Sequence, residues 1–150
     1  MRSIAGIIVG YAVLFTFVFA TFIAVLFLLG ANVIFQPESY LVTPVWMMTT
    51  AVITVAGSML AGSVCAMISK TKGTCELLAT LVLVTLLVFC IPKIRDPRPL
   101  PRVGNVPVTE AMRFTQMPIW MHVLTPILGG LGVIMGAKKR LPRPLPGLST

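Results

Sequence analysis

Four long stretches of this chain carry no Asp, Glu, Lys or Arg, and they decide what it can become. They run over residues 4–35, 44–69, 77–91 and 118–137, and the third is short. A spanning helix needs roughly 20 apolar residues, because the hydrocarbon core of a bilayer is about 30 Å thick. Backbone amides find no water in lipid, so such segments must be helices or strands of a closed barrel. Barrel strands alternate apolar and polar residues. Runs such as Leu81-Val82-Leu83-Val84 and Phe22-Ile23-Ala24-Val25 do not alternate, so helices are expected.

Composition agrees. Hydrophobic residues make up 57% of the 150 and charged residues 11%, with mean hydropathy +0.97. A soluble domain is usually about a quarter charged. Disorder requires low hydrophobicity and is excluded. The expectation is an all-α integral membrane protein: a four-helix transmembrane domain over 1–137, with a basic, proline-rich tail over 138–150.

Local signals mark the helix ends. Thr43-Pro44 reads as an N-cap followed by an N1 proline. Pro92 is expected to close the third helix, and Pro118 to open the fourth. Glu76 is placed in the first turn of the third, where the helix dipole favours an anion. The first segment is oversized: it would run about 48 Å as one helix. It is expected to tilt, or to leave the membrane near Gly30-Ala31-Asn32. It is also more than twice the roughly 7–15 residues of a signal-peptide core, so it reads as a retained helix.

Charge sets an orientation. Lys and Arg are retained on the cytoplasmic side of short loops. With four spans, Arg2, Lys70, Lys72, Lys138, Lys139, Arg140 and Arg143 share one side with Glu76. Lys93, Arg95, Arg98, Arg102 and Arg113 share the other with Glu38, Asp96 and Glu110. The first side is the more positive, which predicts both termini in the cytoplasm. Trp46 and Trp120, residue types that favour membrane interfaces, then fall at the outer ends of their helices.

Small residues predict packing. In lipid, helices associate through close backbone approach. Gly6 and Gly10 form one GxxxG, Ser58, Gly62 and Ala66 a small ridge, and Gly132 and Gly136 a second GxxxG. The third segment has no glycine between 77 and 91. The first, second and fourth helices are therefore expected to pack most tightly, with the third facing lipid. An internal echo joins two of them. Pro44-Val45-Trp46-Met47-Met48 resembles Pro118-Ile119-Trp120-Met121-His122 at an offset of 74 residues, and Ser58 and Gly62 match Gly132 and Gly136 at the same offset. Two parallel helical hairpins would produce this, as in transporter repeats. So would two helix starts at one interface.

Chemistry is sparse. The spans hold no Asp, Glu, Lys or Arg at depth, and intramembrane ionisable residues are the usual mark of function. Proton-coupled export and paired-carboxylate catalysis are disfavoured. His122, Met121, Met117, Met47 and Met48 fall on the outer side, and thioether with imidazole suits copper(I). Methionine is more often an apolar filler, so no metal and no cofactor is assigned. Cys65, Cys75 and Cys90 form no CxxC and read as free thiols. The outer loop 92–117 is basic and proline-rich, with a short surface helix expected over 109–116. It could present Arg95, Arg98 and Arg102 to an acidic partner or to anionic lipid headgroups, or act as a solvated connector. Lys138, Lys139 and Arg140 follow the last span, where each charge near an anionic leaflet is worth about 1 kcal/mol. Basic residues that flank spans do not suggest nucleic-acid binding.

The chain resembles a group of small four-helix bacterial membrane proteins of unassigned function. The resemblance is carried by Ala5-Gly6 through Gly10-Tyr11 and by Pro118, Trp120, Pro126, Gly129, Gly132 and Gly136-Ala137. It implies the four-helix architecture and a bacterial inner-membrane location, and no catalytic residue. The expected function is non-enzymatic: an accessory or interaction subunit of a larger membrane assembly, touching other membrane chains or copies of itself. The alternative is an oligomeric small-solute or metal transporter or channel, in which Thr49, Thr50, Thr54 and Ser58 would line a cavity.

Overall fold

The computed structural model describes residues 2–37, 39–95 and 115–141. Their regular structure is entirely helical: α1 Arg2–Leu29, α2 Ala31–Ile34, α3 Pro44–Ser69, α4 Lys72–Arg95 and α5 Ile119–Lys138. Among them α1, α3, α5 and the 72–91 part of α4 are each long and apolar enough to cross a membrane. Arg98, Arg102, most of the outer loop and the tail beyond Leu141 lie outside the described residues.

The ends of the helices have visible causes. Gly30 adopts a left-handed φ of +69°, and α1 stops at Leu29 just before it. The hydroxyl of Thr43 accepts from the Trp46 backbone N–H at 3.3 Å, and Pro44 takes the first helical position of α3. At the other end of α3, Lys70 turns left-handed and returns its N–H to the Ala66 carbonyl. Pro118 occupies the N-cap of α5.

The third span departs from expectation at both ends. It begins at Lys72 rather than at 77, so Glu76 falls in the second turn, where it pairs with Lys72 at 3.4 Å. Both side chains are largely exposed, and such a pair contributes little. Pro92 does not close the helix, which continues to Arg95. A proline forfeits one helix hydrogen bond. Here the loss falls near the C-terminal end, where the last carbonyls lack intrahelical partners in any case. The surface helix expected over 109–116 falls largely outside the described residues, and Gln116 instead forms an isolated bridge with Leu41.

The helices run alternately up and down. α1 lies antiparallel on α3: Gly6 faces Cys65 and Ser69, while Gly57 faces Leu14, Phe17 and Val18. α5 packs on both α3 and α4. The N-terminus of α1, the C-termini of α3 and α5 and the N-terminus of α4 thus share one end of the bundle. One core cluster occupies that end, around Cys65, Ala66, Cys75, Leu78, Val133 and Ala137. A second caps the opposite end, where Ile34, Phe35, Tyr40, Val42 and Trp46 are buried beneath the α2 loop. Backbone bonds from Thr43 to Ile34 (2.8 Å) and between Tyr40, Val42 and Gln116 tie this cap together.

The expected division of packing is corrected. α4 buries Cys75, Leu78, Ala79 and Val82, whereas α1 buries only Gly6 and Gly10. The least buried spanning helix is α1. α4 needs no glycine of its own, because Gly129 and Gly130 of α5 supply the close approach, against Val82 and Leu86 and against Ala79 and Leu83.

Candidate functional site

Two features dominate the interior: a backbone seam between α3 and α5, and an apolar cleft beside it. In the seam the two helices run parallel. A Cβ added at Gly62 would overlap the backbone of Val133, and one added at Gly136 would overlap that of Met59. A Cβ on Gly132 would lie 2.7 Å from the Ser58 Cβ. Shifted by 74 residues, Met59 becomes Val133 and Gly62 becomes Gly136. The two contacts are therefore reciprocal, and the echo in the sequence is the register of the contact. The Ser63 hydroxyl spans the seam, 2.8 Å from the Met59 carbonyl oxygen and 3.1 Å from that of Gly136.

The hydroxyls of α3 mostly turn back on their own helix. Thr49, Thr50 and Thr54 donate to Val45 O, Trp46 O and Thr50 O at 2.9, 2.8 and 2.8 Å. Ser58 differs: its hydroxyl is fully buried and makes no hydrogen bond. A bare buried hydroxyl costs roughly 1–3 kcal/mol.

Ser58 and Thr54 form part of the floor of a cleft of about 430 Å³. One wall is α1 from Tyr11 to Leu26, through Leu14, Phe15, Val18, Phe19, Phe22 and Ile23. The other is α4, with Val82, Thr85, Leu86 and Phe89. α1 and α4 meet where Gly10 faces Leu78, and that contact closes the cleft toward the end that holds Arg2. Phe15, Phe19 and Phe89 are exposed at the rim. Phe22 meets the buried indole of Trp46 edge-on, with centroids 5.5 Å apart. Trp46 is thus a core residue of the cap, while Trp120 is exposed.

The small residues singled out in the sequence are buried: Gly6 and Gly10 between α1 and α3, and Ser58, Gly62, Gly132 and Gly136 in the seam. Ala66 joins the cluster around Cys65. The sulfur and imidazole side chains differ in their surroundings. Met47 and Met117 pack against the Trp46 cluster, Met48 is exposed, Met121 is buried and His122 is half-buried. Among the described residues no group of three His, Cys, Asp or Glu side chains is gathered as a metal site. Lys138, Lys139 and Arg140 are exposed at the end of α5, and Arg95 is the last residue of α4.

Sequence reasoning missed the cleft. Its one trace was the spacing of Phe15, Phe19 and Phe22 along one side of α1, with Phe15 and Phe19 stacked at 5.9 Å. Comparison with protein-family models, with curated proteins and with solved structures finds no match.

Proposed function

We propose that this chain is a non-enzymatic multi-pass protein of the bacterial cytoplasmic membrane, with both termini in the cytoplasm, acting as an interaction subunit of a larger membrane assembly. The observation that carries this reading is the α3–α5 seam. No conduit passes between these two helices, because they touch backbone to backbone at Gly62–Val133 and Gly136–Met59. Of the four hydroxyls that would line a conduit, those of Thr49, Thr50 and Thr54 are committed to their own helix, and Ser58 is buried beside the seam. The outward face of α1 offers the contact surface. Beyond Gly10 none of its residues is fully buried, and Phe27 and Leu28 stand exposed. Lys70, Lys72, Lys138, Lys139 and Arg140 share the end that would face anionic headgroups of the inner leaflet.

Extraction into polymer-bounded native bilayers, followed by cross-linking from position 27 or 28 of α1, tests the reading. A foreign membrane chain at fixed stoichiometry, cross-linked through α1, is the expected result. A homogeneous homo-oligomer that moves a solute across vesicle membranes would overturn it.

A further inference from the structure

The cleft between α1 and α4 has properties that single out its occupant. Its volume, about 430 Å³, lies in the range of small-molecule sites, about 300–1,000 Å³. A transmembrane helix, about 10 Å across and about 30 Å long, occupies several times that volume and does not fit. The cleft is also elongated. From Tyr11 to Leu26 it follows α1 for about 22 Å at the helical rise. Its rim of exposed phenylalanines faces outward, where a spanning bundle meets acyl chains, so entry is sideways from the bilayer. None of its lining side chains is charged, and a charge at mid-span is costly. One group inside it is unfinished: the buried, unpartnered hydroxyl of Ser58.

We propose that this cleft binds an uncharged, single-chain lipophile whose carbonyl or hydroxyl oxygen accepts a hydrogen bond from Ser58, with its apolar body lying along α1. The flat lipid-facing surface of a bundle would satisfy an acyl chain without any hydroxyl. A polar atom delivered to Ser58 removes a desolvation cost that the empty fold carries. Sites that are mostly apolar with a few placed polar groups are the common form for small ligands, and Thr54 and Thr85 also line this one. The inference goes beyond the interaction reading above and does not depend on it.

Trp46 reports on the cleft through Phe22. In the Trp120→Phe variant Trp46 is the remaining tryptophan. The protein is reconstituted in phosphatidylcholine vesicles and titrated with a benzoquinone bearing one saturated alkyl chain, an uncharged carbonyl compound that quenches indole at short range. Saturable quenching is expected. Ser58→Ala should raise the half-saturating concentration about three- to tenfold, the effect of one neutral hydrogen bond. This variant keeps the Cβ that packs against Gly132, so the fold is preserved. Thr85→Phe, which fills the cleft, should abolish saturation while helical content is retained. Quenching that rises without saturation and equally in all three proteins would overturn the proposal, as would unchanged affinity in Ser58→Ala. A parallel titration uses phosphatidylcholine brominated on its tails. Strong quenching of Trp46 by those tails, with no relief by the quinone's non-quenching ketone analogue, would show that bulk lipid fills the cleft and would equally overturn it.

Discussion

The α-carbon of Gly136 lies so close to Met59 that a Cβ on the glycine would sit 2.7 Å from the Met59 carbonyl carbon. The reciprocal pair, Gly62 and Val133, is as tight, and both involve backbone, which cannot rotate away. In lipid, where hydrophobic burial does not draw helices together, such close packing is the main source of association.

Alanine at Gly62 or Gly136 should therefore be severely destabilising. Overpacking a core usually costs about 1–3 kcal/mol, and a backbone clash should reach or exceed the top of that range. Gly73 provides the contrast. A Cβ there meets nothing within 4 Å, so Gly73→Ala should be neutral or stabilise by up to about 1 kcal/mol. Unfolding of the three variants in mixed detergent micelles measures the difference.

Ser58→Ala should leave stability unchanged or raise it. The hydroxyl has no partner to lose, and deleting an unsatisfied buried polar group recovers roughly 1–3 kcal/mol. A marked loss of stability by the same unfolding measurement would mean that the hydroxyl is satisfied in the membrane-embedded protein.

Thr43 holds two elements at once. Its hydroxyl caps α3 at the Trp46 N–H and donates to the Val33 carbonyl at 2.7 Å. Thr43→Ala should cost about 1 kcal/mol or more and should speed hydrogen exchange at the Trp46 amide. Thr43→Ser should retain most of both.

Gly30→Ala is strained although the space around the residue is open. At φ +69° an alanine costs roughly 1–2 kcal/mol. Asparagine tolerates that region better, so Gly30→Asn should be the milder change in thermal unfolding.

These residues show how far the sequence could be read. The four spans were legible because lipid imposes a length and forbids unpaired backbone, and the charge gaps mark both. The seam was half legible: Ser58, Gly62, Gly132 and Gly136 announce close approach, but not which helix approaches which. The role of α4 was misjudged because its close approach depends on glycines carried by α5. The position of α1 was half legible: Gly6 and Gly10 mark its close approach, but beyond them the helix is apolar all round. Pro92 misled because its cost depends on where along the helix it falls. The cleft follows from the divergence of α1 and α4 beyond Gly10 and Leu78, a tertiary outcome that no single segment encodes.

The parallel seam between α3 and α5 can be measured directly by pulsed electron–electron resonance, with spin labels at the exposed positions 45, 70 and 138 of the protein in bilayers. From the helical rise and a usual interaxial distance, Lys70 and Lys138 should lie about 15 Å apart, and Val45 and Lys138 about 30 Å apart. The reverse order, with position 138 near 45 and far from 70, would contradict the seam.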